Sequence, residues 1–182
     1  MFIHEMTRAE CLSTLAHSRL GRLACSYENQ PYIVPIYFVY ENSYLYGFTT
    51  PGQKVEWMRS NPRVCVELDE FVDDTRWMSI IIFGSYEELP ETQEDKMHTD
   101  LRRPANAADD GREVRQTRYE EHLNLRNHAH AILQQHAEWW EPGAVSSSHR
   151  NPVRPFDPIF YRIHIDRISG RRVTPSHDGS MS

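Results

Sequence analysis

Cysteine is scarce in this chain, and its three copies, Cys11, Cys25 and Cys65, are odd in number, widely spaced and set among apolar residues. That pattern points to reduced core thiols rather than to disulfides or a cysteine zinc site. Long apolar runs are missing as well: no stretch approaches the ~20 residues that cross a bilayer, and no basic segment followed by an apolar one opens the chain. A cytoplasmic protein without a membrane partner is expected. Positive charge is in deficit, with 20 lysines and arginines against 26 aspartates and glutamates. The resulting net charge of −6 argues against nucleic acid as a partner, because neutralising phosphates needs a basic surface. Any anion site must therefore be local.

Chemical signatures are thin in the same way. There is no Gly-x-Ser-x-Gly elbow, no Cys-His signature, no Walker lysine loop and no Gly-x-Gly-x-x-Gly fingerprint, so hydrolase and nucleotidyl chemistry start low. The late histidines offer no i, i+4 pair: His128 and His130 are two apart, and His122 and His136 are far from each other. No metal site is expected, and no catalytic acid or base can be assigned. What is present, 39% hydrophobic and 11% aromatic residues over 182 positions, suits one globular domain able to bury a core.

The organising stretch runs from Tyr44 to Pro62. A short strand, Tyr44 to Thr49, leads into Thr50 as a hydroxyl N-cap and Pro51 at the first helical position, and Asn61-Pro62 ends the helix. A helix N-terminus offers unpaired N–H groups and partial positive charge, yet Lys54 places a cation in the first turn, which opposes the dipole unless an anion sits between them. Two readings stay open on these residues alone. Thr49, Thr50, Gln53 and Lys54 hold a phosphate monoester, or the helix is an ordinary capped one with a solvated lysine.

Around that stretch the pattern is mostly β. Thr7 and Glu10 form a capping box for a first helix. Leu20 to Ser26, Tyr32 to Tyr40 and Tyr44 to Thr49 read as a meander of three antiparallel strands with turns at 28–31 and 41–43. Pro35 interrupts the second strand and marks an edge or bulge, free either to meet a planar ligand or to close a small barrel. Arg63 to Asp69, Arg76 to Leu89 and Pro158 to Ser169 supply three more strands. Residues 91–141 change character: a charged helical segment to Arg103, a loop, then a helix from Arg112 with an apolar stripe of Leu125, Ala129, Ile132, Leu133, Ala137 and Trp140. This stretch reads as an appendage without a core of its own. The Trp139-Trp140 doublet suits an interface anchor or a core plug. A polar linker follows at 146–152, and residues 176–182 form a polar tail.

Gly21-Arg-Leu-Ala24, Pro31-Tyr-Ile-Val-Pro-Ile-Tyr-Phe-Val-Tyr40, Leu45-Tyr-Gly-Phe-Thr-Thr-Pro-Gly-Gln-Lys54, Asn61-Pro-Arg-Val64 and Trp77-Met-Ser-Ile-Ile-Ile-Phe-Gly84 together resemble the FMN-binding split-barrel superfamily of pyridoxamine 5′-phosphate oxidase. Within it, they most resemble the branch of nitroimidazole-resistance proteins. The resemblance implies a mainly β fold, a six-stranded antiparallel split barrel with a helical insertion before the last strand, in a single domain over residues 1–175. It implies a homodimer with FMN at the interface, a small-molecule electron acceptor and NAD(P)H as partners. The phosphate would sit on Thr49, Thr50, Gln53 and Lys54, the backbone at Pro35, Ile36 and Tyr37 would line the isoalloxazine edge, and Phe48, Trp77 and Ser79 would complete the pocket. The expected function is an FMN flavoprotein with NAD(P)H-dependent oxidoreductase activity, with a non-catalytic flavin or haem carrier or sensor as the alternative. Two departures count. Relatives commonly carry histidine where this chain has Phe48, and Ile168-Ser-Gly-Arg-Arg172 does not match the substrate-clamping end of the vitamin B6 oxidases, so vitamin B6 oxidation is disfavoured.

Overall fold

The structure, a computed structural model, describes residues 2–89, 112–136 and 158–174. The charged segment 91–103, the loop up to 111, the tryptophan doublet, the polar linker and the tail expected from sequence lie outside those residues.

Thr7 opens the first helix as its spacing predicts. The Glu10 N–H donates to the Thr7 hydroxyl (3.3 Å) and the Thr7 N–H donates to the Glu10 carboxylate (2.8 Å). This capping box sets the start of α1 (Arg8–His17), which buries Cys11 and Leu15. Before it lies β1 (Phe2–Met6), a strand whose pattern the sequence does not advertise. The others are β2 (Leu20–Tyr27), β3 (Gln30–Tyr37), β4 (Val39–Glu41), β5 (Tyr44–Thr49), β6 (Arg63–Asp73), β7 (Arg76–Glu88) and β8 (Ile159–Thr174). Two further helices are described: α2 (Gln53–Ser60) between β5 and β6, and α3 (Arg112–Gln135) before β8.

The sheet is antiparallel and the fold mainly β as expected, but among the described residues the sheet has eight strands in place of six, in the order β3-β2-β6-β7-β8-β5-β4 with β1 on β8. One added strand is β1. The other comes from a break within Tyr32–Tyr40, which the alternation predicts as one strand. Tyr37 still pairs with Leu20, whereas Val39 pairs with Tyr46, and the Phe38 N–H between them donates to the Arg19 carbonyl (2.9 Å). The expected meander is therefore two hairpins. Each turns on two residues with positive φ, Glu28 (48°) and Asn29 (65°) in one, Asn42 (49°) and Ser43 (69°) in the other, the left-handed pair that matches strand twist in a tight hairpin.

Because β3 and β4 are the two ends of the hydrogen-bonded path and only Phe38 separates them, the sheet wraps until the chain itself joins its ends. The ladder stays open between β3 and β5, which touch without pairing. Leu23, Phe38, Leu45, Val66, Ile80, Ile82 and Ile163, all fully buried, fill the interior. Each contributes about 1.5–3 kcal/mol relative to exposure.

Two interior positions are unusually tight. Tyr161 lies opposite Gly47, and a Cβ at Gly47 would come within 2.6 Å of the tyrosine's Cζ and Oη, so only glycine leaves room for the ring. The Tyr161 hydroxyl is buried without a hydrogen-bond partner among the described residues. Burial raises its pKa well above the usual tyrosine range. Since an unmade buried hydrogen bond costs about 1–3 kcal/mol, Tyr161→Phe is expected to leave the protein equally stable or up to about 1 kcal/mol more stable in urea unfolding. A clear loss of stability would mean that the hydroxyl has a partner.

The late helix is more than the appendage its sequence suggests. Ala129, Ile132 and Leu133 bury against Val39, Tyr46, Leu89 and Phe160, making a second hydrophobic cluster on the outer face of β4, β5 and β8. Leu125 packs at its edge; Ala137 and Trp140 of the expected stripe lie outside the described residues. The reason is that Tyr46 and Phe160 face outward from the barrel and need a cover that the interior cannot provide.

Candidate functional site

The region around the open seam is built first by α2. Its cap differs from expectation: the N-cap is Gly52, not Thr50, and the helix begins at Gln53, not Pro51. Physically, the first carbonyl to accept helical bonds is that of Gly52, from Val55 N (2.9 Å) and Glu56 N (3.2 Å). The Thr50 carbonyl instead accepts from the Thr49 hydroxyl (3.3 Å). Gly52 has no side-chain cap bond, and a Cβ there would meet nothing within 4 Å. Gln53 and Lys54 thus hold the first two helical positions, where N–H groups lack intrahelical acceptors. The other end closes as predicted, with Asn61 as C-cap donating its N–H to the Trp57 carbonyl (2.8 Å).

Several contacts fix the direction of α2. Arg59 reaches β7 through a two-pronged pair with Glu88, Nε at 2.8 Å and Nη2 at 2.6 Å, which holds the Glu88 carboxyl below its usual pKa. The Asn61 amide donates to the Ser26 carbonyl (3.2 Å), and Val55 and Met58 bury beneath the barrel. Trp57 packs edge-on to Tyr32, ring centroids 5.5 Å apart. The helix N-terminus thereby follows closely on the end of β5, with Lys54 near Cys25 of β2.

Lys54 has an unusual setting there. Its side chain is half-buried, and burial lowers its pKa from the ordinary value, offset only in part by the nearby Cys25 thiol. No carboxylate contributes among the described residues. Such an ammonium loses hydration without gaining a counter-charge, so an anion bound here would restore what burial removes.

The predicted residues divide into two groups. Continued past Phe38, the β4–β5 register (Val39 opposite Tyr46) sets Tyr37, Ile36 and Pro35 alongside Phe48, Thr49 and Thr50. β3 and β5 touch, and Tyr37 and Phe48 pack against the same outer cluster. Ile36 (4% exposed) and Thr49 (7%) are buried, Tyr37 and Phe48 are half-buried, and Pro35, Thr50 and Gln53 are exposed. As a terminal strand of the path, β3 leaves one row of backbone groups without ladder partners, as Pro35 suggests for an edge. The Tyr37 hydroxyl is engaged: it donates to the His136 carbonyl (2.7 Å).

Trp77 and Ser79 lie elsewhere. Ser79 pairs with Asp69 and Arg171, and Trp77 with Phe71 and Val173, at the far end of the sheet. Cys25, beside Lys54, follows Ala24, which pairs with Cys65. Cys25 therefore stands beside Val64, and from there along β6 Asp69 and its partner Ser79 are roughly 17 Å away, with Phe71 and Trp77 farther, at ~3.3 Å per residue. Ser79 lines a different feature, an outer groove of about 490 Å³ with Ile81, Phe83, Ser169, Arg171 and Glu5. Of its lining, Phe83 stays exposed, with the Arg167 guanidinium over its ring at 4.3 Å; Leu20, Ile33 and Phe71 are exposed elsewhere on the sheet. The partners that sequence reasoning missed, Cys25 for Lys54 and His136 for Tyr37, are distant in the chain and carry no local signal.

As for other chemistry, His128 pairs with Glu41, and among the described residues no group of three or more His, Cys, Asp and Glu side chains comes together. No described helix is long and apolar enough to cross a membrane.

The Lys54 ammonium, the exposed Thr50 hydroxyl and the opening N–H groups of α2, with open space around Gly52, are a donor set that fits a phosphate group, while the Thr49 hydroxyl is turned to the Thr50 carbonyl. Comparison with known proteins gives this fold a lineage. An uncharacterised protein of Rhizobium meliloti (strain 1021) is 34% identical over 171 residues, covering 94% of this chain and 95% of that protein. The crystal structure of a FAD-binding protein from Mesorhizobium loti matches at a TM-score of 0.64 and 36% identity, over 96% of this chain and 100% of its own. A candidate 5-nitroimidazole antibiotic resistance protein from Bacteroides thetaiotaomicron VPI-5482 matches at a TM-score of 0.51 and 16% identity, over 94% and 89%; that likeness shows the fold alone. The pyridoxamine 5′-phosphate oxidase family model matches residues 7–126. Open antiparallel barrel, strand-to-helix corner and matched span agree with the resemblance drawn from the motifs, and the chain belongs to the pyridoxamine 5′-phosphate oxidase family.

Proposed function

We propose that this protein binds FMN at the seam and works as an NAD(P)H-dependent oxidoreductase on a small acceptor, such as a nitroaromatic, a quinone or another flavin. The observation that carries the reading is Lys54, half-buried at the head of α2 with no carboxylate among the described residues to pair it. Flavin, when bound, supplies the redox chemistry, and the protein supplies position, electrostatics and exclusion of water. In this reading Lys54, Gln53 and the Thr50 hydroxyl hold the phosphate, and Thr49 joins them by turning its hydroxyl away from the Thr50 carbonyl. The unpaired edge of β3 at Pro35, Ile36 and Tyr37, with Phe48 across from it, meets the ring.

Trp77 and Ser79 join such a site only from a second copy, because in one chain they lie too far from Lys54. The exposed Phe83 in the outer groove, with Leu20 and Ile33 exposed on other strands of the sheet, supports a homodimer through apolar sheet surface, with the cofactor at the interface. A cytoplasmic location belongs to the same reading, in keeping with three free thiols.

Two observations favour variants of this reading. The Mesorhizobium loti protein is described as FAD-binding, and the open space around Gly52 leaves room for a group beyond the first phosphate. Phe48 in the place of an imidazole, and a Tyr37 hydroxyl already engaged, favour a carrier or sensor without turnover. One preparation separates these. The purified protein is expected to be yellow, to release FMN on denaturation as read by chromatography, and to oxidise NADH or NADPH with an acceptor faster than free FMN does. Released FAD would replace FMN in the reading; a chromophore that photoreduces but does not accept electrons from nicotinamides would make it a carrier; a colourless protein that takes up no flavin would end it.

A further inference from the structure

The helix that precedes the last strand does not cover an arbitrary patch. Its cluster takes in Tyr37 and Phe48 as well as Phe160 and Tyr46, and those first two are the seam residues whose side chains face outward. Phe48 lies 6.2 Å from Phe160, ring centre to ring centre. α3 covers Phe160 with the His130 ring at 5.6 Å and the Arg126 guanidinium at 5.2 Å. At its C-terminal end the His136 carbonyl accepts from the Tyr37 hydroxyl (2.7 Å), and His136 Nδ1 lies 3.5 Å from Arg19 Nη2. Arg19 is also the residue whose carbonyl accepts from the Phe38 N–H, where the chain crosses from β3 to β4. The end of α3 is therefore tied to the strand break that makes the seam, directly at Tyr37 and through Arg19 at Phe38.

We propose that α3 is the outer wall of the flavin ring site, and that Tyr37 is a positioning residue that couples the helix to the strand edge meeting the ring. This rests on the reading of the seam as a flavin site. A planar tricyclic ring laid along β3 at Pro35–Tyr37 has the buried Ile36 on the barrel side. On the outer side it has two aromatic side chains backed by a helix, an apolar wall of the kind that keeps water from a bound ring. A tyrosine whose hydroxyl is bonded to the helix has one orientation; freed, it lets wall and strand edge move together.

The consequence is a separation of effects that simple packing does not produce. Tyr37→Phe keeps the ring volume and removes the hydroxyl, and Leu133→Ala loosens α3 from the outer cluster without touching the barrel interior. Both act on the ring, so each is expected to weaken FMN and riboflavin equally, about two- to tenfold for Tyr37→Phe. Both are also expected to change the visible circular dichroism of the bound flavin and raise its fluorescence. Lys54→Ala acts on the phosphate, weakening FMN alone and leaving the bound spectrum as in the wild type. Equilibrium titration of the full-length protein with each flavin reads all of this. If Tyr37→Phe leaves both affinities and the spectrum unchanged while Lys54→Ala still selects against FMN, α3 is packing only and the proposal is overturned. If Lys54→Ala weakens both flavins alike or neither, the seam itself is not the flavin site. Should Leu133→Ala fail to fold, the near-isosteric Tyr37→Phe decides alone.

Discussion

Replacing Lys54 with alanine is expected to weaken FMN at least about tenfold and to leave riboflavin binding unchanged. A hydrogen bond to a charged group contributes about 1.5–3 kcal/mol, and every 1.4 kcal/mol is about a factor of ten in affinity. Because the side chain is only half-buried, solvent screening places the effect toward the lower end of that range. Riboflavin has the same ring and no phosphate, so it reports everything except the interaction in question. Equal losses for the two flavins would remove the phosphate from this corner.

The lowered pKa of Lys54 adds a pH signature. Between that lowered value and the ordinary lysine value, the unfolded chain binds more protons than the folded one, so the stability of the flavin-free protein rises with pH across this window. A bound phosphate dianion favours the ammonium and raises its pKa again. FMN affinity is therefore expected to fall as pH climbs through the flavin-free pKa, which lies below the usual lysine range. Riboflavin affinity should stay flat there, and titrations across the alkaline range compare the two. Lys54→Arg, which does not titrate in that range, should abolish the difference in slope.

The second large effect concerns the fold. Gly84→Ala is expected to cost about 3 kcal/mol or more, read as a lower urea midpoint. A Cβ at Gly84 would stand 2.3 Å from the His164 carbonyl oxygen and 2.8 Å from Ile163 Cγ2. Overpacking a core usually costs about 1–3 kcal/mol, and here the obstacle is backbone. Gly84 sits where the β7–β8 register slips, Phe83 facing Arg167 and Gly84 facing Ile165. At that irregularity β8 passes from the stretch paired with β5 to the stretch paired with β1. Moving the carbonyl would disturb the strand on which the sheet pivots. Gly52→Ala is the control, since its Cβ would meet nothing within 4 Å, and a change of comparable size there would count against a steric cause.

Much of the seam was legible because its signals are local. Pro35 announces an edge, and β3 is one. Asn61-Pro62 announces the end of α2, and Thr7 with Glu10 announces α1. Thr50-Pro51 misled by two residues: hydroxyl and proline have the grammar of a helix start, but the first carbonyl to accept a helical bond is that of Gly52, after Pro51. Tyr32–Tyr40 misled for a related reason. Alternation reports which residues prefer a strand, and it does not report that the strand changes neighbours at Phe38.

Alternating side chains, turn pairs, caps and one lysine near the head of a helix were enough to determine a mainly β antiparallel fold with a short helix after β5, because each of those signals acts over a few residues. Only the tertiary structure decided that Trp77 and Ser79 lie at the far end of the sheet from Lys54, that Lys54 is half-buried beside Cys25 with no carboxylate among the described residues to pair it, and that α3 packs on the outer face over Tyr37 and Phe48. Those facts depend on which distant segment covers which face, and burial of that kind is a property of the assembled surfaces, to which no short stretch of chain has access.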